Sequence, residues 1–115
     1  MINKYDIEIV AKRLGIVSNA EYVILFGSYA RGDASENSDV DLMIISESSL
    51  PRFKRSRDLY KLLRPYPFGM DLIVYTSEEI EKGKQYSLSF VSTVLKEGKV
   101  LYVRSDWTGE KECNR

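Results

Sequence analysis

Apolar positions recur along this chain at two periods. After Asn3, the residues Ile7, Val10, Ala11 and Leu14 fall three and four apart, which predicts an amphipathic helix over about 4–14, capped by Asn3 and stopped at Gly15. The run Tyr22–Phe26 (YVILF) is continuously apolar and built from strand formers, the pattern of a strand covered on both faces, and is expected at the centre of a sheet. Gly27 ends that run, Ser28 is placed to cap the short helix begun by SYAR, and a polar loop fills 32–38. Val40–Ile45 (VDLMII) reads as a second strand. Ser48, Ser49 and Pro51 then signal a helix over about 51–64, which Pro65 and Pro67 stop. Met70–Tyr75 (MDLIVY) is a third strand, and Thr76, Ser77, Glu78 and Glu79 carry the capping chemistry of the next helix. A further helix over about 85–96 and a short strand at Lys99–Val103 complete the pattern. Helices alternating with strands in this order predict an α+β fold, a small mixed β-sheet flanked by helices. One domain is expected over 1–103, followed by a polar C-terminal tail over 104–115 without periodicity.

Composition narrows the chemistry. A chain of 115 residues fits one hydrophobic core and has little room for a second folded domain. No apolar run approaches the roughly 20 residues that cross a bilayer. Charged residues interrupt the N-terminal segment, so no secretory signal is expected there. Cys113 is the only cysteine, which excludes an internal disulfide and a thiolate zinc cluster and fits a reducing cytoplasm. Histidine is absent, so serine–histidine and cysteine–histidine catalysis and histidine metal sites are excluded as well. Carboxylates must therefore carry any acid–base or metal chemistry. Lysine and arginine (17) balance aspartate and glutamate (17), so no overall positive field draws in long polynucleotides.

The stretch LFGSYARGDASENSDVDLMII supplies the candidate site. Its polar skeleton is Gly27-Ser28, ten residues, then Asp39-Val40-Asp41, a pattern that ordinary residue frequencies produce in roughly one chain in a thousand of this length. Gly27-Ser28 alone is an ordinary turn; the combination points to a phosphate. Side chains two apart on a strand share a face, so Asp39 and Asp41 point the same way with Cα atoms about 6.6 Å apart. Aligned carboxylates without a basic partner repel each other unless a cation lies between them. Magnesium takes one or two carboxylates together with phosphate oxygens and water, which implies a nucleoside triphosphate as co-ligand. Glycine at a strand-to-helix turn lets the backbone approach a phosphate, the Ser28 hydroxyl can donate to it, and the helix start offers free N–H groups. Arg31, one helical turn on, can add positive charge or stand at the surface. Asp71 interrupts an apolar strand, where burial of a carboxylate is costly unless it is paired or metal-bound; the other reading is an exposed first residue of the strand after the Gly69 turn. Asp71 is assigned to a second metal and to accepting the proton of an attacking hydroxyl.

GSYARGDASENSDVDL followed by MDLIV resembles the minimal nucleotidyltransferase branch of the DNA polymerase beta superfamily, over about 20–76 by motif and 1–103 by element order. The resemblance implies a polymerase beta-like fold, two magnesium ions on Asp39, Asp41 and Asp71, and a triphosphate held by Gly27 and Ser28. It also implies attack of a substrate oxygen on the α-phosphate of ATP with loss of pyrophosphate. In that branch such a protein often pairs with an all-helical HEPN protein and acts as antitoxin by transferring AMP to a tyrosine of the toxin, so a HEPN-type toxin is the expected partner and protein AMPylation the expected activity.

Two alternatives stay open: nucleotidyl transfer to RNA or a small molecule, and a non-catalytic module that masks the toxin. Arg52, Lys54, Arg55, Arg57, Lys61 and Arg64 make the 51–64 helix basic, with 54, 57, 61 and 64 on one side. Such a run is usually a solvated face, otherwise a contact for an acidic partner or an RNA backbone. Trp107 either anchors the tail or moves with it.

Overall fold

The computed structural model describes residues 1–104. The tail expected over 104–115 therefore falls, Arg104 apart, outside the described residues, as do Trp107 and Cys113. The elements in order are α1 (Lys4–Ser18), β1 (Tyr22–Phe26), α2 (Ser28–Arg31), β2 (Val40–Ile45), α3 (Arg52–Arg55), α4 (Arg57–Leu62), β3 (Met70–Tyr75), α5 (Ser77–Lys84), α6 (Phe90–Glu97) and β4 (Lys99–Val103). The four strands form one mixed sheet in the order β3-β2-β1-β4. β1 runs antiparallel to both β2 and β4, and β2 runs parallel to β3. The expected α+β architecture is therefore found, with β1 interior.

Alternation along the strands builds two cores. Val23 and Leu25, Leu42 and Ile44, and Leu72 and Val74 pack under Ile7, Val10, Ala11 and Leu14 of α1 and Leu59 of α4. On the opposite face Ile24, Met43 and Ile45 meet Ile80 of α5 and Val91 and Val94 of α6. β2 is buried from both sides, which is why its sequence reads as an apolar run rather than an alternation.

Three helix bounds depart from the sequence reading. α1 does not stop at Gly15 but continues to Ser18, where Asn19 adopts a left-handed conformation (φ 52°) and its N–H returns to the Gly15 and Ile16 carbonyls. Gly15 has a packing reason instead: a Cβ there would collide with the ring of Tyr102 on β4. The basic segment is two short helices broken at Ser56, because its halves bind different targets. α3 turns Arg55 inward, where the guanidinium donates to both Glu79 carboxylate oxygens (2.6 and 3.1 Å) and to the Val74 carbonyl (3.1 Å). α4 instead buries Leu59. The helix expected from residue 85 begins at Phe90, after the Ser89 side chain accepts from the Ser92 N–H (3.1 Å). The capping box at Thr76 and Glu79 is present as expected.

β3 is an edge strand, and side chains close its open backbone. The Tyr60 hydroxyl accepts from the Leu72 N–H (2.8 Å) and donates to the Met70 carbonyl (3.3 Å), while Arg55 takes the Val74 carbonyl. Tyr60→Phe removes both contacts and leaves a partly buried amide without its acceptor. The expected loss is about 1–3 kcal/mol in chemical denaturation, with faster hydrogen exchange at the Leu72 amide; wild-type exchange there would contradict this account. Glu79 gives a second prediction. Its hydrogen bond to Arg55 is the main cause that lowers its pKa from 4.5 to about 2, against the opposing effect of burial. Stability from this pair is therefore present above about pH 4.5 and lost as pH falls towards 2. Glu79→Gln should flatten the acid limb of a stability–pH curve in that window.

Candidate active site

The strand registers assemble the site. Phe26 pairs with Asp41 across β1 and β2, and Asp41 pairs with Asp71 across β2 and β3. One row across the sheet thus reads Phe26, Asp41, Asp71, on the face covered by α5 and α6. Asp39 lies two residues before Asp41 and immediately before β2, so it belongs to the same face at the strand mouth. Its carboxylate rests against Gly69, where a Cβ would collide with it. The structure thus places Asp39, Asp41 and Asp71 at one end of the sheet.

Gly27 follows Phe26 and packs on the Asp41 side chain so closely that a Cβ would overlap a carboxylate oxygen. Its backbone (φ 73°, ψ −154°) lies in a region that essentially only glycine occupies. Two independent constraints therefore require glycine here, and together they bring the Gly-Ser turn against Asp41. Ser28 departs from its expected capping role: it is the first helical residue, Gly27 is the N-cap, and no side-chain cap bond forms. The Ser28 hydroxyl is thereby left for another partner. α2 is a single turn, so it builds little dipole, and any hold on phosphate there rests on backbone N–H groups and this hydroxyl.

Charge at the site is unbalanced. Among the described residues, Asp39, Asp41 and Asp71 make no salt bridge. Burial, then the charges of Asp71 and Asp39, push the Asp41 carboxyl above its usual range, and Arg31 opposes this weakly. Arg31 itself is engaged elsewhere, with Asp33 (3.2 Å) and with Glu97 at the end of α6 (3.6 Å). It ties α2 to α6 and acts on Asp41 through its field.

Asp71 corrects the reason first given for it. It is exposed, so the cost of burial does not single it out; its position opposite Asp41 does. Among the described residues no three carboxylates converge closely enough to cage a metal by themselves. The chemistry of the set suits a cation that completes its shell with phosphate and water, as magnesium does. Two apolar concavities lie away from these carboxylates, one lined by Ile2, Ile7, Leu25, Tyr29 and Leu101, the other by Tyr22, Ile24, Ile80, Leu95 and Val100. The first also carries Lys4 and Lys99 beside Glu8, the second Lys84 beside Glu21 and Glu81, and neither contains Asp39, Asp41 or Asp71.

Tyr60 is the residue that sequence reading missed. Its hydroxyl bonds the backbone on both sides of Asp71, at Met70 and Leu72, and so holds that carboxylate's strand in place. The only signal in the sequence was a polar-tipped aromatic inside a basic amphipathic segment, which does not tell which strand it meets.

Known proteins resemble this chain in sequence and in fold. The nucleotidyltransferase domain family matches residues 7–112. A Methanocaldococcus jannaschii protein named "putative protein adenylyltransferase" is 43% identical over 81 residues, 70% of this chain and 76% of the relative. A second protein of that name and organism is 37% identical over 71 residues, 62% of this chain and 66% of the relative. Among solved structures, a Sulfolobus solfataricus protein named "putative nucleotidyltransferase" shares the fold with a TM-score of 0.59 at 22% identity, covering 87% of this chain and 83% of that one. A toxin-antitoxin structure with AMP-PNP superposes with a TM-score of 0.57 at 24% identity, over 88% and 75% of the two chains. With a glycine-serine turn seated on paired aspartates and a family match over most of its length, this chain belongs to the nucleotidyltransferase domain family and is an enzyme of that class.

Proposed function

We propose that this chain is a magnesium-dependent protein adenylyltransferase that transfers AMP from ATP to a tyrosine hydroxyl of a HEPN-type toxin, and so acts as a cytoplasmic antitoxin. The observation that carries the reading is the row that sets Asp41 beside Asp71 with Gly27 packed on Asp41. The names of the relatives support a protein acceptor, and the toxin-antitoxin neighbour supports the kind of partner. A single cysteine, and no helix among the described residues long and apolar enough to cross a membrane, fit the cytoplasm.

In this reading Asp39, Asp41 and Asp71 hold two magnesium ions, which supply charge neutralisation for the triphosphate when bound. Backbone N–H groups after Gly27 and the Ser28 hydroxyl orient the phosphates, and Arg31 adds positive field. Asp71, exposed at the sheet edge, accepts the proton of the incoming hydroxyl. The hydroxyl oxygen bonds to the α-phosphorus, and the bond to the bridging oxygen of pyrophosphate breaks in line. The attached AMP carries negative charge, which would repel RNA phosphate from a ribonuclease site.

Asp41→Asn should show two signatures at once. Transfer is abolished, while the metal-free protein becomes more stable, because a carboxylate that burial and its neighbours disfavour has been neutralised. The sign is that of an acid with a raised folded pKa: its ionisation costs stability as pH rises above the ordinary range, so the gain is present at neutral pH and vanishes in acid. Thermal melts in chelator at both pH values check this. A variant with wild-type transfer would remove Asp41 from the site.

The acceptor is tested directly by incubating the chain with ATP, magnesium and either the protein encoded beside it or total RNA, followed by mass spectrometry for added AMP. AMP on a tyrosine of the protein is expected. AMP on RNA ends with an unmodified protein would overturn the antitoxin reading.

A further inference from the structure

The folded chain sorts the basic residues of 52–64 into two groups. Arg55 is 8% exposed in its side chain and sits on Glu79, and Arg52 reaches Glu79 (3.5 Å) while lying over the Tyr75 ring (4.2 Å to its centroid). These two pin α3 to β3 and α5. Lys54, Arg57, Lys61 and Arg64 are exposed, and among the described residues none forms an ion pair. They recur at spacings of three, four and three through a segment that stays near helical across Ser56 (φ −84°, ψ −11°). Leu59 on α4 and Leu63 at its C-cap are buried in the core, so Arg57 and Lys61 stand on the opposite side of that helix, and Arg64 follows directly after the cap. Like charges at three and four residues apart repel and weaken a short helix, and Asp58 in the first turn of α4 is the one acidic residue within the segment to offset them.

The stripe also has a definite place. Tyr60, between Arg57 and Lys61, bonds the β3 backbone on both sides of Asp71, so the helix that carries the stripe is fastened to the edge strand that carries Asp71. Exposed apolar side chains accompany it: Phe53 (80% exposed), Leu62 (54%) and Tyr66 (41%). Cations interleaved with exposed aromatic and aliphatic groups are the composition of a protein contact surface, with apolar area for burial and charge for orientation.

We infer that this stripe docks an acidic face of the protein that bears the acceptor hydroxyl, presenting that hydroxyl to the edge of β3. The inference rests on the reading of the acceptor as a protein. Exposed Phe53, Leu62 and Tyr66 beside the cations favour a protein face over a polynucleotide, most of whose contacts are made through phosphate and sugar. Without these four side chains the balance of 17 basic and 17 acidic residues tips to a net negative remainder, so no extended positive field draws a long polynucleotide along the surface.

The experiment uses the full chain and two fluorescent polymers, a glutamate–tyrosine copolymer and a lysine–tyrosine copolymer, with a uridine homopolymer RNA as third arm. Binding is read by anisotropy, and AMP incorporation separately by mass spectrometry. The glutamate–tyrosine polymer should bind and the lysine–tyrosine polymer should not, with affinity falling as salt rises. Arg57→Glu, Lys61→Glu and Arg64→Glu together should weaken that binding at least about tenfold, while calorimetry with a non-hydrolysable ATP analogue stays unchanged. The neutral triple variant to Gln, checked by circular dichroism, gives the same direction if charge reversal disturbs the fold. Wild-type polymer binding by the neutral variant, or tighter binding of the RNA through the same residues, overturns the inference. Stripe-dependent binding without AMP on the polymer tyrosines would instead count against the protein-hydroxyl reading alone.

Discussion

The unshifted parallel pairing of β2 with β3, from Val40 opposite Met70 to Ile45 opposite Tyr75, is the constraint on which the site depends. It sets Asp41 beside Asp71, and the antiparallel register of β1 then places Phe26, and with it Gly27, on the other side of Asp41. A slip of one residue would turn every side chain of β3 to the opposite face and separate the aspartates. Apolar packing prevents it. Leu42 and Leu72 share one core and Met43 the other, so any slip would bury polar groups and expose apolar ones on both faces. The carboxylates contribute nothing to this pairing. They occupy strand ends where packing gives way to solvent, and the core holds them together against their repulsion.

Two carboxylates show how differently one chain uses acidic groups. Glu79 is paired with Arg55, bonds the Thr76 backbone and has its pKa driven down; it fastens α3, β3 and α5 together. Asp41 has no ion pair among the described residues and has its pKa driven up by burial and by its neighbours. The first is arranged for stability. The second costs stability and is retained at a position where a bound cation and phosphate would reverse that cost.

The segment between β2 and β3 performs three tasks with one short stretch of chain. Leu59 and Leu63 close a core, Arg55 and Tyr60 satisfy the open backbone of the edge strand, and Arg57, Lys61 and Arg64 face outward. Because Tyr60 bonds the backbone on both sides of Asp71, the outward face of α4 and the edge strand are held in fixed relation.

The sequence by itself determined the four strands, the α+β class and the capping box at Thr76, and it marked Gly27, Ser28, Asp39, Asp41 and Asp71 as candidates, because apolar period, caps and fixed motif spacing are local properties of the chain. The bounds of α1 and α6, the break at Ser56 and the fates of the basic residues were decided by tertiary contacts. Gly15 reads as a stop until Tyr102, far along the chain, needs the space above it. Arg52 and Arg55 cannot be told from Arg57 and Lys61 until Glu79 arrives from another element. Asp71 reads as a buried carboxylate, yet its exposure and its place opposite Asp41 follow only from strand order and register. Local pattern tells which face of an element is apolar; which element meets that face is settled by the packing of the whole chain.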